Sequence, residues 1–186
     1  MTAINNYLHK TSYRLDIPDG GLTKSFQLNV QESSLPGMIM TTVSLNLNKQ
    51  MKSTIAGTGV QFDPLAVRVI LDEDMETYTD ILTWMTSTTD FKHNKSTHPS
   101  KLPKMVLVHI INNDKREIVC TFKYHDPFPI SMGSVDFSYS EDGNMAMQMD
   151  IQLGYKYFEV ERNGVTVGAI PNVPEKAGLH PALRGL

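Results

Sequence analysis

The stretch FDPLAVRVILDEDMETYTDILTWM, Phe62 to Met85, decides the fold. Leu65, Val67, Val69 and Leu71 alternate with Ala66, Arg68 and Ile70, the period of a strand with one buried face. Asp72, Glu73 and Asp74 follow, and carboxylates suit a helix start because they satisfy free N–H groups and complement the dipole. Met75, Tyr78, Leu82 and Met85 then recur at helical spacing, with Ile81 and Trp84 widening the stripe. Thr86 to Thr89 are poor helix formers and end it. This is the one convincing helix in the chain.

Upstream the pattern is that of β-structure. Residues 1–11 have no period and read as an N-terminal arm. Tyr13, Leu15 and Ile17 alternate, Asp19-Gly20-Gly21 turns the chain, and Phe26, Leu28 and Val30 alternate again, which predicts a hairpin. Ser33 to Gly37 is a Pro-Gly turn. Ile39 to Asn48 predicts a strand with Val43, Leu45 and Leu47 on one face and the uncharged polar set Thr42, Ser44, Asn46 and Asn48 on the other. Lys49 to Gly59 has no period and reads as a hairpin tip or loop carrying Lys49 and Lys52.

Downstream, Asp90 to Lys104 is a polar surface loop, and Met105 to Ile111 is apolar on both faces, as a central strand is. Asn112 to Lys115 turns into Arg116 to Tyr124. His125 to Ser131 reads as a Pro-containing crossing, and Ser134 to Ser140 as a strand with Val135, Phe137 and Tyr139 inward. Met145, Met147, Met149, Ile151, Leu153, Tyr155 and Tyr157 then hold one face without a break, with Gln148, Asp150 and Gln152 on the other. A single strand of that length would reach about 40 Å. The resulting division is an arm over 1–11, a β domain over 12–160 and an extended tail over 161–186.

The 186 residues suit one domain with a sizeable core. Seventeen Lys and Arg against 20 Asp and Glu leave a formal charge of -3, no footprint for phosphate binding. The lone Cys120 rules out an internal disulfide and fits a reducing compartment, with the thiol packed in a strand. MTAINNYLHK has no apolar signal core, and no run approaches the length of a membrane span.

No catalytic motif stands out, and no cofactor is expected. His93 and His98, with Asp90 and Asp126 nearby in type, lack the paired spacing of a zinc site and read as solvated loop residues. His109 sits in an apolar strand and reads as a core histidine. Asp72, Glu73, Asp74 and Glu76 lack the ligand alternation and the glycine of a calcium loop. Gly57-Thr58-Gly59 is too short for a phosphate cradle, and Met145, Met147 and Met149 read as core or interface residues.

With these elements placed, the chain resembles the tail tube proteins of contractile-tailed bacteriophages and the related tube-like baseplate proteins. The resemblance lies in Phe62–Met85, in the segment VCTFKYHDPFPISMGSVDFSYSEDGNMAMQMDIQLGYKYFEV, and in SSLPG before Ile39, and it spans roughly Tyr13 to Val160. It implies a mainly β fold, an antiparallel sandwich or partial barrel with one flanking helix. It implies a structural virion protein, not an enzyme, that forms hexameric rings stacking into the tail tube, with DNA passing through unbound. Partners would be further copies of the chain and sheath or baseplate proteins. The location would be the virion tail, and the host cytoplasm during assembly.

On that resemblance Thr42, Ser44, Asn46, Asn48, Gln148, Asp150 and Gln152 are expected to face the lumen. Lys49, Lys52, Asp72, Asp74, Val165 and Leu183 are expected at contacts between subunits. Two other readings stand beside the tube subunit: a baseplate or tail-end protein that starts or caps the tube, and a non-viral β-barrel binding module.

Overall fold

A computed structural model of the chain describes residues 7–18, 23–46, 48, 50–89, 103–114, 116–139 and 146–167. In chain order the elements are β1 (Tyr13–Asp16), α1 (Lys24–Leu28), β2 (Val30–Ser33), β3 (Met38–Asn46), β4 (Lys52–Phe62), β5 (Leu65–Ile70), α2 (Glu76–Thr88), β6 (Met105–Ile111), β7 (Ile118–His125), β8 (Phe128–Met132), β9 (Gln148–Gly154), β10 (Tyr157–Arg162) and β11 (Val165–Val167). They form one antiparallel sheet in the order β1-β6-β7-β10-β11, a second antiparallel sheet in the order β2-β5-β9-β8, and a two-stranded arm, β3-β4.

The two larger sheets pack face to face. Leu15, Val106, Val108 and Tyr124 from the first meet Leu65, Val67, Val69, Met149, Ile151 and Leu153 from the second, all buried. The alternation read in Leu65–Val69 and in Met149–Leu153 is thus the inner face of one sheet, with β5 and β9 paired Val67 to Ile151. An aromatic group closes one end of the sandwich. There Phe158 meets Phe62 edge-on at 5.4 Å, and Tyr124 meets Tyr155 at 4.9 Å.

Helix α2 forms where the acidic corner predicts it. The Asp72 carboxylate accepts the Thr77 N–H at 3.0 Å. That bond holds the Asp72 carboxyl below the usual carboxylate range. The buried face differs from the expected stripe. Thr77, Ile81 and Trp84 are buried, Tyr78 and Met85 only flank the core, and Leu82 is 40 % exposed. Met75 precedes the helix with φ at +57°, so it cannot set the phase. Thr77 tolerates burial because the Asn29 side chain donates to its hydroxyl at 2.6 Å.

Several expectations are corrected. Phe26 and Leu28 belong to the single helical turn α1, not to a strand, and only Phe26 is buried. Gln27 fixes that turn by exchanging two 3.0 Å bonds with the backbone of Ile17. β1 and β2 make no hairpin, since β1 pairs with β6 and β2 with β5. The supposed loop from Lys49 is strand from Lys52 onward. The crossing after His125 becomes β8 after a turn in which Asp126 has φ at +50°. The Gly133 N–H donates to the Asp150 carbonyl at 2.7 Å, residues 134–139 lie in no strand among the described residues, and Phe137 and Tyr139 are exposed rather than inward.

The long final strand is two strands. β9 ends at Gly154 and β10 starts at Tyr157 in the other sheet, opposite His125. Between them the Lys156 N–H donates to the His125 carbonyl at 3.0 Å, and the Tyr155 hydroxyl donates to the Asp63 carbonyl at 2.8 Å. Strand pairing continues through Arg162 and returns along Val165–Val167, so the tail expected over 161–186 begins inside a hairpin. At the other end, Asn113 accepts the His9 N–H at 3.0 Å and donates to the Tyr7 carbonyl at 2.8 Å, which ties the arm before β1 to the β6–β7 turn.

Candidate assembly interface

The solvent face of the β2-β5-β9-β8 sheet carries a row of three charges. Glu32, Arg68 and Asp150 stand side by side on adjacent strands. The Arg68 guanidinium donates to both Asp150 oxygens, at 2.7 and 3.3 Å, and to Glu32 at 3.0 Å. Arg68 holds the Asp150 carboxyl below its ordinary range, and the two acids raise Arg68 in turn. Two carboxylates against one guanidinium leave the row with a net negative charge. Gln148 and Gln152 lie exposed on the same face of β9, because Met149, Ile151 and Leu153 occupy the other.

Toward β8 this face turns apolar. Phe128 and Ile130 are 44 % and 50 % exposed. They lie over Gly154, where a Cβ would come within 2.7 Å of the Phe128 ring and 2.9 Å of Ile130. A side chain at Gly154 would displace these two exposed side chains.

Among the described residues the arm β3-β4 is exposed along the whole of β3. Val43 faces Ile55 across it, with Leu45 on the same side. Thr42, Ser44 and Asn46 pair with Ala56, Thr54 and Lys52 on the other side. At Thr41 the opposite strand bulges through Gly57, Thr58 and Gly59. The Thr41 hydroxyl donates to the Gly59 carbonyl and accepts the Gly59 N–H, both at 3.0 Å. A Cβ on Gly57 would fall 2.8 Å from the Thr41 carbonyl oxygen. The Gly-Thr-Gly segment is thus a structural bulge. A two-stranded ribbon alone is marginal in water, and among the described residues nothing covers the apolar side of the arm.

The expected lumen set is divided by the fold. Gln148, Asp150 and Gln152 share the sheet face just described. Thr42, Ser44 and Asn46 stand on the arm, and Asn48 at its tip accepts the Gln50 and Met51 N–H groups. Lys52 faces Asn46 near the tip. Asp72 serves as the helix cap, Asp74 is exposed in the turn before α2, and Val165 is 68 % exposed on β11. Lys49 and Leu183 lie outside the described residues, as do His93, His98, Asp90, Met145 and the Asp19-Gly20-Gly21 turn.

His109 is half-buried with Nδ1 3.0 Å from the Thr121 hydroxyl, and burial lowers its pKa. Burial raises the Cys120 thiol. Among the described residues no three His, Cys, Asp or Glu side chains gather as a metal site would require, and no helix is long and apolar enough to cross a membrane. The features that sequence reading missed are relational: the Glu32–Arg68–Asp150 row, the apolar corner at Phe128, and the position of β2 and β8 as outer strands of their sheet among the described residues. Only Arg68, a lone charge within an apolar strand, signalled the first.

Among the described residues the molecule is thus a sandwich with β2 and β8 as outer strands of one sheet, an exposed arm and a polar sheet face. The family model described as phage tail tube protein matches residues 3–161, and the chain belongs to that family. It is 28 % identical over 172 residues to the tail tube terminator protein of Enterobacteria phage T4, covering 90 % of this chain and 96 % of that one. In fold it is similar to the tube-terminating cap of the anti-feeding prophage, with a TM-score of 0.63 at 12 % identity, over 86 % of this chain and 94 % of that one. It is also similar to a chain in the extended sheath/tube terminator of an extracellular contractile injection system, with a TM-score of 0.61 at 13 % identity, over 86 % and 99 %. The mainly β, tail-tube architecture and a structural role in a phage tail follow.

Proposed function

We propose that this chain is a tail-end protein that forms a ring on the last turn of the tail tube and closes it. The observation that carries the ring is strand direction. Each neighbour in β2-β5-β9-β8 is antiparallel to the next, so the outer strands β2 and β8 run in opposite directions. Rotation about an axis along the strands brings β8 of one copy antiparallel to β2 of the next. The ladder then continues without a break, and the two free edges vanish.

The similarity to terminators at both sequence and fold level favours the tail end over the repeating tube subunit. In this ring, six-fold as in a stacked hexameric tube, the face with Gln148, Asp150 and Gln152 lines the lumen. The acidic row Glu32–Arg68–Asp150 leaves DNA phosphates nothing to hold. The arm with Thr42, Ser44, Asn46, Asn48, Lys49 and Lys52 contacts the adjoining ring or the sheath. Asp74 and Val165 are further contact positions.

Electron microscopy of the purified protein, alone and mixed with tube subunits, tests this. Single rings that cap tubes and halt their growth are expected. Long tubes built from this chain alone would restore the tube-subunit reading, and a monomer at high concentration would favour a binding module.

A further inference from the structure

We infer that residues 175–180 of one copy form a strand between its own β11 and β1 of the next copy, and so complete the second layer of the ring. This rests on the ring reading above and goes beyond it, because that reading closes only the β2-β5-β9-β8 sheet.

Strand direction carries the argument. Each neighbour in β1-β6-β7-β10-β11 is antiparallel to the next. The number of strands is odd, so β1 and β11 run the same way. β1 lies beside β2, across a groove that both strands line. The junction that brings β8 of one copy to β2 of the next therefore also brings β11 toward β1, in parallel. One further strand between them, running against both, makes every pairing in that layer antiparallel. Width requires the same number. With strands about 4.8 Å apart and layers about 10 Å apart, four inner strands span about 19 Å per copy of a six-fold ring and the outer layer about 30 Å, room for six strands. Among the described residues that layer has five.

Chain position and composition name the sixth. Residues 168–186 lie outside the described residues, and they continue the chain from Val167 at this edge. Val165 and Val167 are 68 % and 54 % exposed there, although Val167 pairs with Val160 on the side from which Phe158 packs against the core. Prolines stand at 171, 174 and 181. Proline has no N–H to give and is kept out of strands paired on both sides. The longest run between these prolines is Glu175 to His180. Extended, it reaches about 20 Å, enough to follow the four residues of β1. Residues 168–174 make the return from β11. Ala177 and Leu179 share one face of the run, with Glu175 at its end. That face turns inward over the groove, where Leu28 is 75 % exposed beside the wholly buried Phe26.

The full-length chain carrying Leu28→Cys and Ala177→Cys in a Cys120→Ser background, treated with a short bis-maleimide, tests the contact, with rings scored separately by electron microscopy. Rings whose chains link into a ladder of multimers are expected. Gly178→Pro removes an N–H from the middle of the added strand, so it should raise the concentration needed for rings by roughly tenfold. Rings without an intermolecular link, a link confined to one chain, or ring formation unchanged by Gly178→Pro would overturn the contact and leave the ring reading standing. If the unsubstituted chain forms no rings, the ring reading fails and this inference with it.

Discussion

Ile81→Ala and Leu82→Ala remove isomeric side chains from adjacent positions of α2, and the structure separates them sharply. Ile81 is fully buried and Leu82 is 40 % exposed. Ile81→Ala forfeits the transfer free energy of the lost carbons and leaves a cavity in the core, a cost of about 2–5 kcal/mol. Leu82 keeps much of its surface in water, and its truncation leaves a dent rather than a void, costing about 1 kcal/mol or less. The difference is about 2–3 kcal/mol, a sizeable part of the roughly 5–15 kcal/mol that holds a domain folded. For a chain of this size each kcal/mol moves the Tm by about 2–4 °C, so the two variants should melt about 4–12 °C apart. Urea denaturation, followed by Trp84 fluorescence and by circular dichroism, reads the same gap as a shift in midpoint at constant slope. Equal losses, or a larger loss at Leu82, would mean that α2 buries the stripe its spacing suggests, and the helix phase described above would be wrong.

Asp72→Ala removes the carboxylate that caps Thr77 and should cost about 1 kcal/mol near neutral pH. The folded pKa of Asp72 is lowered, so the stabilisation is complete above the unfolded value near 4 and fades as pH falls through the folded one. Denaturation curves of variant and parent should therefore converge in acid. Arg68→Met leaves Glu32 and Asp150 side by side in solvent. It should leave the stability little changed, because the row is exposed, while the Asp150 carboxyl, followed by NMR titration, moves upward. Gly57→Ala meets the Thr41 backbone and Gly59→Ala mainly its side chain. Adding Thr41→Ala should thus restore protection from hydrogen exchange in the arm of the second variant and not of the first.

The core strands were legible because each has one buried face: Leu65–Val69 and Met149–Leu153 alternate without error. The helix was legible from its acidic corner, but its phase was not. Asn29 pays for burying Thr77 from another part of the chain, and no local pattern records that. Leu28 and Val30 alternate like a strand with Phe26, yet Gln27 bonds back to Ile17 and winds the segment into a turn. β4 was invisible because both its faces are exposed, so burial imposed no period on it. Of the interface residues, Gln148, Asp150 and Gln152 could be read as an exposed face. The row they frame could not, because Glu32 and Asp150 are brought to Arg68 by strand pairing across 36 and 82 residues of sequence separation.

The passage from β9 to β10 at Tyr155-Lys156 carries a mechanical consequence. One covalent strand path runs along the sheet assigned to the lumen, crosses at the aromatic end of the sandwich, and continues in the other sheet. In the proposed ring, tension applied to the β2-β5-β9-β8 sheet would be delivered through the backbone to the other sheet. The two layers would then yield together rather than sliding past one another, as a stitched laminate whose seam is the pair of residues between β9 and β10.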